Sequence, residues 1–509
     1  MEPAHGSLHH LGHPKRPHRD PPSALPRIRH RPQRHGRTLT TLMKGIPVHS
    51  LYYQPPNTWF GDCMPVFAQG KFHLYHQRDT RNPGPFGEPF GWALVTTNDF
   101  VTFTDHGESL ERGTDDDQDQ FIFAGSVFEA NGSFYAMYTG YNRDYPTQGK
   151  ASQVLMLAES DDLLTWRKSD QKLVPPQPGY DPDDWRDPFV LWDEEQNNYL
   201  MILGARKAGD EILTGSTVAF RSTDLRQWDF HGDFWAPGLY SMHEMPDLFR
   251  MGEHWYLLTT EYSDKSKTIY RMSTSLEGPW TAPTDDAFDG RAYYAARSAA
   301  DGDHRYLFGW VPTKTGDDDQ ARWDWGGTLV VHEIYQRADG SLAVGIPSSV
   351  VDAFTTPQAT PDPNIHLHSP DGETHQEITQ QTGDLVYLEG DLTIEADTRA
   401  VSLRLLEDPT TGSSYEFLIL PGENRLIFDR RPNYPWYQYD NKGLERPLSL
   451  QPGVPHRFQL IIDDTIATLY IDGVALNARM NQRPGNRLSV GVIDGAAHLA
   501  ELRISQELA

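Results

Sequence analysis

Between about residues 45 and 350, short apolar runs rich in Val, Leu, Phe and Tyr alternate with turns that carry Gly or Asn. D-C-M-P-V-F-A-Q-G-K-F-H-L-Y-H from Asp62, A-G-S-V-F-E-A-N-G-S-F-Y-A-M-Y from Ala124 and R-D-P-F-V-L-W-D-E-E-Q-N-N-Y-L-M-I-L from Arg186 share one layout. So do E-M-P-D-L-F-R-M-G-E-H-W-Y-L-L from Glu244 and A-A-R-S-A-A-D-G-D-H-R-Y-L-F from Ala295. An apolar run, a tight turn and a second apolar, aromatic run predict a β-hairpin each time. Three of the five units open on an acid: Asp62, Asp187 and Glu244. Residues at one phase of a repeat occupy equivalent places, so these carboxylates are expected to converge.

A second repeat runs in register with the first. T-N-D-F-V-T-F (97–103), S-D-D-L-L-T-W (160–166) and S-T-D-L-R-Q-W (222–228) each set an aromatic four residues after an Asp. The Asp suits a turn built on its own backbone, and the aromatic suits packing. A period near 60 residues holding several short strands is the signature of propeller blades. Five periods predict an all-β chain with a five-bladed β-propeller over 45–350. Residues 351–383, rich in Thr, Pro, Gln and Asp, read as a linker or boundary. Beyond them F-L-I-L-P-G-E-N-R-L-I-F (417–428) and H-R-F-Q-L-I-I-D-D-T-I-A-T-L-Y-I-D-G-V (456–474) alternate without helical period, so 365–509 is expected to be a β-sandwich.

Composition changes this picture at one end only. Residues 1–42 hold seven of the 21 His and eight Lys or Arg against two acids, with no continuous apolar stretch. They read as a disordered basic tail, with Met43 an alternative start, and not as a secretory signal. The formal net charge of −26 argues against nucleic acid or an anionic membrane as a partner. Cys63 is the single cysteine, so no intrachain disulfide framework exists. No apolar run reaches the roughly 18 residues of a membrane span, and a cytoplasmic location is expected.

Convergent carboxylates are costly, because each resists ionising beside the others. Glycoside hydrolysis gives them a use. A retaining mechanism needs one ionised carboxylate as nucleophile and one protonated carboxyl as acid, about 5 to 5.5 Å apart. Asp62, Asp187 and Glu244 supply two such groups and a third to bind sugar hydroxyls, and Arg186 is placed to hold Asp187 ionised. The expected partner is a small oligosaccharide, with no cofactor and no metal. His332, in V-V-H-E, is a further candidate for the central channel.

At these residues the chain resembles glycoside hydrolase family 32, the β-fructofuranosidases, invertases, inulinases and levanases. W-F-G-D (59–62) is similar to the family's W-M-N-D-P-N-G, F-H-L-Y-H-Q (72–77) to its strand ending in a sugar-binding Gln, and F-A-G-S (123–126) to F-S-G-S. W-R-D-P-F-V (185–190) resembles its R-D-P, and H-E-M-P-D-L-F (243–249) its W-E-C-P-D-L-F. The resemblance, over about 45–509, implies Asp62 as nucleophile and Glu244 as acid/base. It implies substrate contacts from Trp59, Gln77, Trp92, Ser126, Arg186, His243 and Tyr294, although aromatics at such places also pack cores. The implied reaction is exo-acting release of a β-fructofuranosyl unit with retention.

The departures mark a divergent branch. Gly61 and Met64 stand where the family has two Asn, His243 where it has Trp, and Ala292 where it has Asp. A hydrogen and a thioether cannot replace two amides, so sucrose is expected to be a poor substrate. An inverting family 43-type furanosidase or xylosidase, a fructosyl transferase and a non-catalytic sugar-binding propeller are the alternatives.

Overall fold

The hairpin pattern resolves into five consecutive antiparallel meanders. They are seen in a computed structural model that describes residues 49–509 except 85, 170–173, 262, 381 and 435–438. The expected tail at 1–42 lies outside the described residues. The first meander runs β1 (Trp59–Ala68), β2 (Lys71–Asp79), β3 (Trp92–Thr97), β4 (Thr104–Leu110). The second is β5 (Phe121–Ala130), β6 (Ser133–Tyr141), β7 (Gln153–Ser160), β8 (Arg167–Lys168), and the third β9 (Tyr180–Asp193), β10 (Asn198–Lys207), β11 (Gly215–Ser222), β12 (Asp229–Trp235). The fourth has three strands, β13 (His243–Met251), β14 (His254–Glu261) and β15 (Thr268–Ser273). The fifth is β16 (Tyr294–Ala300), β17 (Arg305–Lys314), β18 (Trp323–Gln336), β19 (Leu342–Gly345). Pairing of Phe60 in β1 with Gly327 in β18 joins the last meander to the first.

The second repeat is turn chemistry, as its residue types predict. One carboxylate oxygen of Asp99 accepts the backbone N–H of Val101 and Thr102, at 2.9 and 2.7 Å. Asp162 does the same for Leu164 and Thr165, and Asp224 for Arg226 and Gln227. Phe103, Trp166 and Trp228, the aromatics that follow, pack against the hydrophobic core.

The first strand of every meander carries one extra residue at the same point. The register slips between Phe60 and Cys63 in β1, between Phe123 and Gly125 in β5, and between Arg186 and Phe189 in β9. It slips again between Glu244 and Asp247 in β13 and between Tyr294 and Arg297 in β16. Asp187, Met245 and Ala295 take left-handed φ values of 64, 51 and 55° there, which non-glycine residues adopt only under constraint. A bulge re-aims the side chains beside it. Repeated five times, it turns the opening residues of all five strands toward a common space.

Arg297 is the constraint visible behind that space. Its guanidinium, fully buried, donates to the carbonyls of Gly125, Asp187 (2.7 Å) and Pro188 (3.5 Å), tying β5, β9 and β16 together. Arg297→Met is expected to leave those carbonyls unpaired and cost about 3–5 kcal/mol of stability. Denaturant titration reads the loss directly, and a loss under about 1 kcal/mol would show that the carbonyls find other partners.

After a short helix, α1 (Ser348–Asp352), the chain builds a separate eleven-stranded antiparallel sheet. Its long last strand, Arg487–Ser505, pairs with Ile365–Thr379, Leu385–Ile394 and Ala400–Glu407. The described residues cluster as one compact unit, and a buried polar network crosses from the meanders to this sheet. His332 bonds to the Tyr470 hydroxyl (2.8 Å) and to Asp289 (3.0 Å), while the Asn477 backbone and side-chain amides donate to Asp289. His332 is therefore a seam residue and does not face a central channel.

Candidate active site

The bulged strands surround a cavity of about 380 Å³ whose lining includes Asp62, Asp187 and Glu244. Each acid comes from a different meander, at the repeat phase that the sequence indicates. Asp62 accepts the indole N–H of Trp310 at 3.1 Å. Burial holds its carboxyl well above the usual range, and the charges of Asp187 and Glu244 add to that. Trp310 and Arg297 oppose it. Asp187, 3% exposed, accepts the Met245 N–H at 3.0 Å, and its own N–H is held by the Thr139 hydroxyl at 3.0 Å. Burial raises its carboxyl too, against the nearby charge of Arg186.

Arg186 serves more than the one acid expected of it. Its guanidinium is 2.7 Å from Glu244 and 2.8 Å from Asp184, but only 3.9 Å from Asp187. Its shortest contact in the cavity is thus with Glu244, while its charge still favours the ionised form of Asp187. Tyr294 donates its hydroxyl to the second oxygen of Glu244. Burial and the Glu244 charge push this phenol far above its ordinary value, so it stays a neutral donor. Glu244 is therefore gripped from both sides.

Of the other residues expected to touch substrate, Gln77 lines the cavity, with its amide N–H on the Ile122 carbonyl at 3.2 Å. Four do not line it. Trp92 is fully buried and packs on Tyr75 and Tyr138 with its indole N–H on the Phe123 carbonyl. The Ser126 hydroxyl accepts the Val190 N–H at 3.1 Å and so joins β5 to β9. His243 neighbours Glu244 in β13, and successive strand residues point to opposite faces. Its ring lies against Trp235 and bonds to Thr217, and burial lowers its pKa to about 3. Trp59 sits under the Arg81 guanidinium, 4.5 Å away. Met64 and Ala292 are buried in the core as well. The reasoning that set Met64 against the sugar therefore fails, and only its Gly61 half survives.

The sequence reading missed the cavity's aromatic wall. Phe86 and Phe90 come from the loop between β2 and β3, Phe123 and Tyr141 from β5 and β6, and Trp325 from the start of β18. Asp183, Ser152 and Gln153 form a polar edge. The alternating aromatics of W-D-W-G-G (323–327), opening a strand after a polar loop, were the available signal for Trp325. Among the described residues no group of His, Cys, Asp or Glu could hold a metal ion, and no helix is long and apolar enough to cross a membrane.

Comparison with known proteins gives a consistent result. Residues 52–339, rather more than half of the chain, match the glycosyl hydrolases family 32 N-terminal domain. A sucrose-6-phosphate hydrolase of Escherichia coli is 24% identical over 486 residues, covering 87% of this chain and 92% of that protein. A levanbiose-producing levanase of Bacillus subtilis (strain 168) is 26% identical over 284 residues, 53% of this chain, which spans about half of the levanase (49%). Among solved structures, the sucrose-6-phosphate hydrolase from Lactobacillus gasseri aligns with a TM-score of 0.71 at 19% identity, covering 90% of this chain and 92% of that one. Fructan 1-exohydrolase IIa from Cichorium intybus aligns at 0.70 with 15% identity, covering 90% and 98%.

Proposed function

The chain belongs to glycosyl hydrolases family 32 and is a glycoside hydrolase, and we propose that it releases a β-fructofuranosyl unit from a short oligosaccharide with retention. Three carboxylates from repeat-equivalent bulges lining one cavity are the observation that carries this reading. Asp62 attacks the anomeric carbon while Glu244 protonates the departing oxygen. The glycosyl–Asp62 ester is then opened by a water whose proton Glu244 takes back. Trp310 and Arg297 favour the ionised form of Asp62 against its burial, which the attack requires. One oxygen of Asp187 is held by the Met245 N–H, and the rest of the carboxylate receives sugar hydroxyls. Tyr294 and Arg186 orient Glu244.

The five meanders fit the blades of a five-bladed propeller over 45–350, with the eleven-stranded sheet forming a β-sandwich over 365–509. The common phase of the bulges and the closure of β18 onto β1 support that reading. The stereochemistry separates retention from the inverting route of family 43 enzymes. Proton NMR of the first sugar released is expected to show the β-anomer before mutarotation. Initial release of the α-anomer would put Asp62 in the role of a general base.

A further inference from the structure

Gly61, immediately before Asp62, has no room for a side chain. A methyl carbon placed on it would lie 2.3 Å from Trp325 Cη2, 2.9 Å from Cζ2 and 3.0 Å from Gln77 Cβ. The indole thus fills the space that a side chain at 61 would need, beside Asp62. It is held there from behind. Arg81 donates to the Trp325 carbonyl and, at 3.2 Å, to that of Gly326. Arg81 is fixed in turn by its 2.7 Å ion pair with Asp79 and by its seat on Trp59. The Trp325 ring lies parallel to Phe90 (5°, 6.4 Å) and meets Phe86 edge-on at 5.8 Å and Trp310 at 5.7 Å. One wall of the cavity is consequently aromatic from its base outward.

The charged part of the lining is mostly acidic. Asp62, Asp183, Asp187 and Glu244 face the cavity, and Arg186 is its only lining cation among the described residues. Arg186 already serves Glu244 and Asp184. Arg143 and Lys150, near Tyr141 and Pro146 of the lining, stack on Phe121 and Tyr145. No lining cation is left over for a phosphate, and four carboxylates repel one.

Building on the glycosidase reading above, we propose that Trp325 is the specificity-determining wall of the site. It takes an uncharged glycosyl unit against the apolar face of its ring, and the indole and any side chain at position 61 exclude one another. Sugars present C–H faces that bury well on an aromatic surface, and hydroxyls at their edges remain for Asp187 and Gln77.

A double-mutant cycle tests this, with kcat/KM measured on whichever of sucrose, 1-kestose and levanbiose is turned over fastest. Trp325→Ala is expected to lose roughly 10- to 100-fold, and Trp325→Phe to recover most of it. Gly61→Ala alone displaces the indole and loses a similar factor. The Gly61→Ala/Trp325→Ala double variant is expected within about 3-fold of Trp325→Ala, because the clash has gone. Additive losses, or an unchanged kcat/KM in Trp325→Ala with its melting curve intact, overturn the proposal. Sucrose 6-phosphate is expected to be at least about 10-fold poorer than sucrose, and equal rates overturn the requirement for an uncharged sugar. If no fructoside is turned over, the fructosidase reading fails. The same cycle on arabinofuranosides and xylosides then still decides whether positions 61 and 325 are coupled.

Discussion

Asp62→Asn is expected to lower kcat by roughly 10⁴-fold or more and, at neutral pH, to raise the melting temperature. The first effect follows from loss of the nucleophile, since an amide forms no glycosyl ester. The second follows from the cost of keeping that nucleophile. Burial, then the charges of Asp187 and Glu244, hold the Asp62 carboxyl well above its ordinary value, whereas in the unfolded chain it titrates near 3.9. Below that value both states carry the neutral acid, and the full contribution of this group to stability is present. As pH rises toward the folded-state value, the unfolded chain ionises first, and the contribution is progressively lost. Asparagine never ionises and can still accept the Trp310 N–H. Its advantage should therefore be small near pH 4 and larger at pH 7, about 1–3 °C for each kcal/mol released. The same displacement sets the acidic limb of kcat/KM in the native enzyme above the ordinary carboxylate range. Melting curves at the two pH values decide the matter. An Asp62→Asn protein less stable than the native one at pH 7 would mean that the carboxylate is not under strain.

Much of this site was legible because hairpins are local. A Gly or Asn turn between two apolar runs dictates a β-hairpin wherever it occurs, so the five units and the shared phase of Asp62, Asp187 and Glu244 could be read directly. The bulges that bring those acids together leave a trace in the same motifs, as Pro188 and Pro246 cannot donate to a ladder. What the sequence obscured was direction. His243 lies next to Glu244, yet strand alternation sends it to the opposite face, against Trp235. Trp92 sits on a third strand and reaches only the core. Trp59 matters through Arg81, and so through the carbonyl of Trp325. No pattern along the chain ties Gly61 to an indole 264 residues away, because only the closure of β18 onto β1 brings them together. Arg186 shows the same limit of reading by adjacency. Adjacency in R-D-P suggested Asp187 as its partner, and its charge does favour the ionised form of Asp187, but nothing in the motif showed that the guanidinium also reaches across to Glu244 in β13.

Glu244→Gln is expected to separate substrates by their leaving groups. The substitution keeps the shape and removes the titrating proton, so a sugar leaving as a poor, unprotonated alkoxide should be released roughly 10²- to 10⁴-fold more slowly. An aryl fructoside with an activated leaving group needs little protonation, and its glycosylation step should lose far less. Gln can still accept the Tyr294 hydroxyl, and its neutral amide no longer attracts Arg186, so the guanidinium should shift toward Asp184 and Asp187, which lie 2.8 and 3.9 Å from it in the native protein. That shift affects both substrates alike and cancels in the comparison. With the aryl substrate, deglycosylation becomes limiting, because the base that activates water is missing as well, and a burst of one phenol per active site should precede a slow steady state. Single-turnover rates for sucrose and the aryl fructoside, measured on one preparation, supply the ratio. Equal losses on both would remove Glu244 from proton transfer and leave it the lesser task of holding Arg186 and Tyr294 in place.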